Sequence, residues 1–242
     1  MTKILRIFAG PNGSGKTTLK DEMQENGFLS ELYVNPDDIE KQFRLCGELD
    51  LSNFKIQTTQ QELWGFFRSS QLLKLHNKLS IVDNFRLENT IVFYTGQDFD
   101  SYIASIFSDF IRKKILSIGE SLAFETVMSS LDKIEILKLA KEQGYKVILY
   151  FIATKDVRIN LQRIQTRVAF GGHNVPEDKV RSRYIRSLDN LFKALQYCDK
   201  AFLFDNSGHK HEPIAEITNI NQQIEIFSEH IPYWFKKFVL DK

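Results

Sequence analysis

Ile4-Leu5-Arg6-Ile7-Phe8-Ala9-Gly10-Pro11-Asn12-Gly13-Ser14-Gly15-Lys16-Thr17-Thr18 is the stretch from which the rest of the chain is read. Residues 10–17 match G-x-x-x-x-G-K-[ST], the Walker A pattern. A chain of this length meets it by chance about once in a hundred. The context is the one the pattern needs. Ile4 to Phe8 is an apolar run that predicts a buried strand. Lys16 to Asn26 has helical character and is stopped by Gly27. Between them, Gly10, Gly13 and Gly15 let backbone N–H groups of a loop that also holds Pro11, Asn12 and Ser14 turn inward around phosphates. The helix N-terminus adds partial positive charge there. Lys16 is expected at the β- and γ-phosphates of ATP, and the Thr17 hydroxyl on Mg²⁺, with Thr18 close by.

Outward from the loop, strands alternate with helices. Leu32 to Asn35, Ser121 to Thr126, Lys146 to Ala153 and Ala201 to Phe204 read as strands. Helices are expected from Ser129 to Gly144, from Asp156 to Val168, and from Pro176 to about Tyr197. Apolar strands in this alternation predict an α/β fold, a three-layer sandwich with a mostly parallel sheet. Ligands then bind beyond the strands' C-terminal ends. Residues 47–98 interrupt the alternation and read as an insertion in a single domain spanning 1–242. Residues 212–242 read as a β-hairpin followed by an amphipathic segment around Trp234, capping the sheet edge.

Thirty-two basic residues nearly cancel thirty-one acidic ones, which argues against a nucleic-acid binder. Hydrophobic residues at 43% exclude wholesale disorder. No apolar stretch approaches the ~20 residues of a membrane span, and the N-terminal run is too short for a signal peptide. The expectation is a soluble, cytoplasmic protein. Cys46 and Cys198 lack C-x-x-C partners and read as two buried structural thiols.

The candidate acceptor side follows the other strands. Asp37 and Asp38 come after the second strand, where one carboxylate can take a proton from an acceptor hydroxyl. Their bland alternative is a helix N-cap. Glu125 and Thr126 end the third strand; a Glu between Phe124 and Val127 is costly without polar work, such as binding a substrate hydroxyl or a magnesium-bound water. Arg163 and Arg167 share a helix face, and Arg181, Arg183 and Arg186 follow a loop holding Gly171, Gly172 and His173. This arginine-bearing hairpin, residues 163–190, reads as a kinase lid whose glycine pair gives mobility. His209 and His211 are expected in an exposed turn.

The stretch from Phe8 to Thr18, the Val34-Asn35-Pro36-Asp37-Asp38 run, Phe124-Glu125-Thr126, and Arg167 through Gly-Gly-His-Asn-Val-Pro to Tyr184 resemble the zeta-toxin-like P-loop kinases, over roughly residues 1–45 and 118–208. The resemblance is to a chromosomal branch of that family. It implies an ATP- and Mg²⁺-dependent phosphotransferase acting on a small-molecule hydroxyl, with UDP-N-acetylglucosamine or a related nucleotide sugar as acceptor. It implies Lys16 and Thr17 for nucleotide and metal, Asp37 as general base with Asp38 nearer the helix start, Glu125 and Thr126 for substrate, and Arg167 for phosphate charge. Where the family's toxins carry a second phosphate-binding arginine this chain has His173, so the role passes to Arg181 or Arg183 or is absent. The 47–98 region has no counterpart and lies where acceptor specificity is set. Two competing readings are a nucleoside or nucleotide kinase with an aromatic acceptor pocket, and an ATP-binding regulatory module contacting a protein such as an antitoxin. No antitoxin domain is expected within the chain itself.

Overall fold

The structure, a computed structural model, describes residues 2–172, 174–218 and 223–242. The chain divides into two compact units, Met1–Glu31 with Ala123–Lys242, and Leu32–Leu122. It begins in the first with β1 (Ile4–Ala9) and α1 (Lys16–Glu25). The second unit holds β2 (Leu32–Val34), α2 (Pro36–Cys46), β3 (Glu48–Asp50), α3 (Gln60–Ser69), α4 (Gln71–Leu75), β4 (Phe85–Glu88), β5 (Ile91–Tyr94) and α5 (Ser101–Ser117). The chain then completes the first unit with β6 (Leu122–Thr126), α6 (Asp132–Glu142), β7 (Lys146–Ala153), α7 (Val157–Ala169), α8 (Glu177–Leu195), β8 (Lys200–Asp205), β9 (Glu212–Thr218), β10 (Gln223–Ile226) and α9 (Tyr233–Phe235). A π-helical turn, Lys236–Leu240, follows α9.

In the first unit the strands lie in the order β10-β9-β8-β7-β1-β6. β1, β7 and β8 run parallel, and β9 and β10 add an antiparallel hairpin. Leu5, Ile7, Phe8 and Ala9 of β1 are fully buried, as are most residues of β7. The continuous apolar runs of these strands thus reflect burial on both faces. One face carries a cross-strand ladder: Phe8, Tyr150 and Phe202 stand opposite one another on β1, β7 and β8, with successive ring centroids 5.1 Å apart. Leu19 and Met23 of α1 pack on that face. On the other, Phe151 meets the buried Trp234 ring. The terminal segment therefore covers a sheet face, where an edge cap was expected. Its large aromatic surface finds more to bury against the central strand than at a rim. α7 and α8 share a small apolar core of Ile164, Val175 and Val180.

The second unit is built around phenylalanine. Its three strands are antiparallel in the order β3-β5-β4. Phe43 of α2 stacks on Phe99 at 4.3 Å, and Phe67, Phe85, Tyr94 and Phe107 close around them. α2 and α5, which flank residues 47–98 in sequence, pack on each other in the same unit. α3 opens on a full capping box between Thr59 and Glu62. Lys114, with help from Thr58 and the Thr59 N–H, draws the Glu62 carboxyl down to about 2. Cys46, expected buried, is exposed: it ends α2, whose inward stripe is Ile39, Glu40 and Phe43. Cys198 is buried as expected, and burial pushes its thiol far above the usual range.

Candidate phosphate-binding site

The loop between β1 and α1 has the shape its glycines promise. Gly10 takes φ +144°, and a Cβ there would run into the Ile152 carbonyl oxygen of the neighbouring strand β7. Gly15 is the N-cap of α1 at φ 96°, with Asn206 and His211 where a side chain would otherwise stand. The Ser14 side chain is fully buried, so its contribution to a ligand is confined to its backbone. The Lys16 ammonium folds back over the loop onto the carbonyls of Gly10 (2.9 Å) and Pro11 (3.0 Å).

Thr17 and Glu125 meet. The Thr17 hydroxyl donates to Glu125 Oε2 at 2.9 Å. Glu125 is buried at the end of β6, not at a solvent edge, while Thr17 is exposed on the first turn of α1. A hydroxyl beside a carboxylate is a pair of hard oxygen donors, the kind magnesium takes together with substrate phosphates. Among the described residues no group of three or more His, Cys, Asp or Glu could hold a metal by itself. The donor set therefore fits a nucleotide-borne Mg²⁺ and does not fit a resident all-protein metal site. Thr126 is spoken for in part: its hydroxyl accepts from Met128 N at 3.0 Å, and Asn190 of α8 donates to the Met128 carbonyl at 3.0 Å. That turn is braced from α8.

Side chains beyond the motif hold the loop. Asn160 of α7 donates to the Asn12 carbonyl (2.7 Å), and Asn206 after β8 donates to the Ser14 carbonyl (2.8 Å). His211 Nε2 lies 3.0 Å from the Gly15 carbonyl. Asn160 is itself oriented by the Thr154 hydroxyl. The Thr154 carbonyl in turn accepts from Tyr184 of α8, whose hydroxyl burial pushes up to about 12. Beyond Asn206, the Asp205 carboxylate accepts from Ser207 N (2.8 Å) and from the Trp234 indole (2.7 Å). Asn160, Asn206 and His211 are marked by no motif, and their only sequence signal is position, on α7 after β7 or in the turn after β8; Tyr184 ends the stretch that carries the family resemblance. His211 is correspondingly not in an exposed turn: its side chain is 8% exposed. His209 is exposed as expected.

A cleft of about 560 Å³ opens beside the loop, lined by Gly15, Thr18, Glu22, Arg163, Asn206 and residues 209–211. Arg163 anchors there, donating to the Gly208 carbonyl at 2.9 Å. Arg167 is exposed one turn further on. The glycine pair behind it is a Schellman cap, not a loose linker. Gly171 N donates to Val168 O and Gly172 N to Arg167 O, both at 2.9 Å, with Gly171 at φ +82°. Arg181 lies in an exposed pair with Glu177 (2.7 Å), a solvated helix face. Arg183 is half-buried and makes no ion pair among the described residues. His173 lies outside the described residues. Arg158 holds the Asp156 carboxyl, the N-cap of α7, down to about 2.

In the second unit, Asp37 and Asp38 stand exposed on the first turn of α2. Neither is the cap: Asn35 Oδ1 accepts from Asp37 N at 3.0 Å. The helix starts at Pro36, so Asp37 rather than Asp38 is nearer its start.

Comparison with known proteins fixes the fold. No family model matches the chain. Sixty of its residues, 25% of the chain, are 45% identical to an uncharacterized protein of Haemophilus influenzae, and the match covers 43% of that protein. The AvrRxo1-ORF1:AvrRxo1-ORF2 complex with sulphate ions contains a chain that matches at TM-score 0.59 and 14% identity, over 98% of this chain and 63% of that one. The same complex with ATP matches at TM-score 0.56 and 15% identity, over 93% of this chain and 60% of that one. A chain of the PezAT chromosomal toxin–antitoxin system of Streptococcus pneumoniae matches at TM-score 0.54 and 14% identity, over all of this chain and 80% of that one. The chain shares the fold of these chains, α/β with a mostly parallel central sheet. The chain spans less than half of the curated relative it matches and under two thirds of the AvrRxo1 chain. Within this fold, the residues the structure brings together around the glycine loop are Lys16, Thr17, Glu125, Arg163, Asn160, Asn206 and His211. No helix among the described residues is long and apolar enough to cross a membrane.

Proposed function

We propose that the chain is an ATP-dependent phosphotransferase acting on a hydroxyl of a small molecule. The observation that carries this reading is the Thr17–Glu125 hydrogen bond at the mouth of the glycine loop. It joins the metal-binding position of a Walker A motif to a buried carboxylate. The phosphates of ATP lie in the loop, and Lys16 exchanges the Gly10 and Pro11 carbonyls for phosphate oxygens. The base lies in the cleft beside Gly15, Thr18 and Arg163. Thr17 and Glu125 would hold Mg²⁺, which when bound would neutralise charge on the transferring phosphoryl group. Asp37 takes the proton of the acceptor hydroxyl as its oxygen attacks the γ-phosphorus and ADP leaves. Asp38 and Thr126 contact the acceptor. Arg167, with Arg183 or Arg181, spreads its guanidinium charge over the equatorial oxygens.

The acceptor we favour is a nucleotide sugar such as UDP-N-acetylglucosamine, on the strength of the motif resemblance. Phe43, Phe67, Phe85, Phe99 and Phe107 are at most 4% exposed, so this cluster offers no open ring face to the base of either a nucleoside or a nucleotide sugar. An antitoxin-like protein partner is proposed from the PezAT likeness. The test is a panel of nucleotide sugars and nucleosides with ATP and Mg²⁺, read by mass spectrometry for a phosphorylated product. Lys16→Ala is expected to abolish product and ATP turnover while the melting temperature holds. Turnover by that variant at the wild-type rate refutes the reading.

A further inference from the structure

The glycine loop's carbonyls are held from outside by residues no motif contains. A trans peptide is planar, and its N–H points opposite its C=O. Fixing a carbonyl therefore aims the following N–H. Asn160 fixes the Asn12 carbonyl and so aims Gly13 N–H. Asn206 fixes Ser14 and aims Gly15 N–H. His211 fixes Gly15 and aims Lys16 N–H. All three carbonyls are pulled outward, so all three N–H groups turn into the loop's concavity. Successive N–H groups arranged in this way form an anion nest. The Gly13 and Gly15 N–H groups have no hydrogen-bond partner among the described residues.

Resting on the phosphate-binding reading above, we infer that His211 is a positioning residue for the phosphate nest, acting with Asn206 and Asn160. In the 3.0 Å contact the carbonyl oxygen only accepts, so Nε2 is the donor there, and the Asn206 amide nitrogen 3.3 Å from Nε2 then keeps its hydrogen for the Ser14 carbonyl. The imidazole keeps that donor whether neutral or charged. Its other nitrogen, Nδ1, is 3.9 Å from Glu22 Oε2. His211 touches the loop's outer side and does not itself reach the phosphates. Its effect is preorganisation: the Gly15 carbonyl also accepts from Leu19 N (3.2 Å), and His211 adds the second bond that narrows the orientation of the Gly15–Lys16 peptide before an anion binds.

The probe is inorganic tripolyphosphate, which has no base and cannot report contacts in the cleft. Its affinity, and that of ATP, is measured by calorimetry for the wild type, His211→Gln and His211→Asn. A glutamine amide nitrogen can stand where Nε2 stands, whereas asparagine is too short. We expect His211→Gln to bind tripolyphosphate within about threefold of wild type, and His211→Asn about tenfold more weakly, the weight of one hydrogen bond. Both variants should melt alike, so a purely structural role would not separate them. Equal tripolyphosphate affinity for wild type and His211→Asn overturns the inference. A loss confined to ATP also overturns it, since His211 would then be reading the base. A wild-type protein that binds neither ligand fails the phosphate-loop reading itself, a different outcome from either.

Discussion

Glu125→Gln separates the chemistry of the site from its architecture. The carboxylate is 8% exposed and accepts the Thr17 hydroxyl at 2.9 Å. Glutamine keeps the shape and offers an amide oxygen to the same hydroxyl. What is lost on folding is the difference between a charge-assisted bond, ~1.5–3 kcal/mol, and a neutral one, ~0.5–1.5 kcal/mol. Burying a neutral amide instead of a carboxylate returns part of that difference. The net stability change should stay within about 1 kcal/mol. Catalysis should suffer far more, because on the proposed reading a negatively charged oxygen donor for Mg²⁺ would be gone. The removal of one preorganised electrostatic partner typically costs ~10²–10³ in rate. The assay is phosphoryl transfer as a function of Mg²⁺ concentration, beside a thermal melt. The expected pattern is a nearly unchanged melt, a rate down by about 10²-fold, and a weaker apparent Mg²⁺ affinity. A variant with wild-type rate and Mg²⁺ dependence would show that Glu125 serves only to anchor Thr17.

Asp37→Asn should lower transfer about 10²–10⁴-fold with ATP affinity intact, and Asp38→Asn should do much less; steady-state kinetics giving the reverse order would reassign the base. Arg163→Lys should raise KM for ATP, because the guanidinium lines the cleft and is anchored on Gly208, whereas Arg167→Lys should lower kcat by about tenfold or more. Indistinguishable kinetics of the two variants would mean that neither arginine meets phosphate. Asp156 titrates at about 2 when folded, below its ordinary value, because Arg158 and the α7 backbone bond its charged form. Its contribution to stability is thus full above the ordinary carboxylate range and is lost as pH falls through about 2. The melting temperature of wild type relative to Asp156→Ala should therefore converge between about pH 5 and pH 2.

Where local pattern and burial agree, the sequence reading and the structure coincide. β7 carries an unbroken apolar run, α7 an Asp156 N-cap, and α6 and α8 an apolar stripe, and their bounds differ from expectation by few residues. α5 is not among the elements read from the sequence, although Ile103, Phe107, Phe110 and Ile111 form an apolar stripe behind the Asp100 N-cap. The short strands β3 and β4 are too brief to show a period. Gly171 and Gly172 suggest mobility by composition, and the structure shows in addition that the pair forms the Schellman cap of α7. The residues that hold the loop were hidden for a deeper reason. Asn160, Asn206 and His211 lie about 145 to 200 positions from the peptides they orient, a separation that only a folded parallel sheet brings together.

The two tryptophans fall one to each unit, Trp64 on α3 and Trp234 on α9. Trp234 is 2% exposed, and its indole N–H rests on Asp205, the residue before the Asn206 that touches the phosphate loop. Trp64 is half-buried, with its indole on the Phe85 carbonyl at 3.0 Å. The chain thus has a separate optical reporter for each unit. Replacing one tryptophan by phenylalanine leaves emission from the other alone. Two denaturation curves from two such proteins would resolve whether the nucleotide-loop unit and the phenylalanine-rich unit lose structure in one step or in succession.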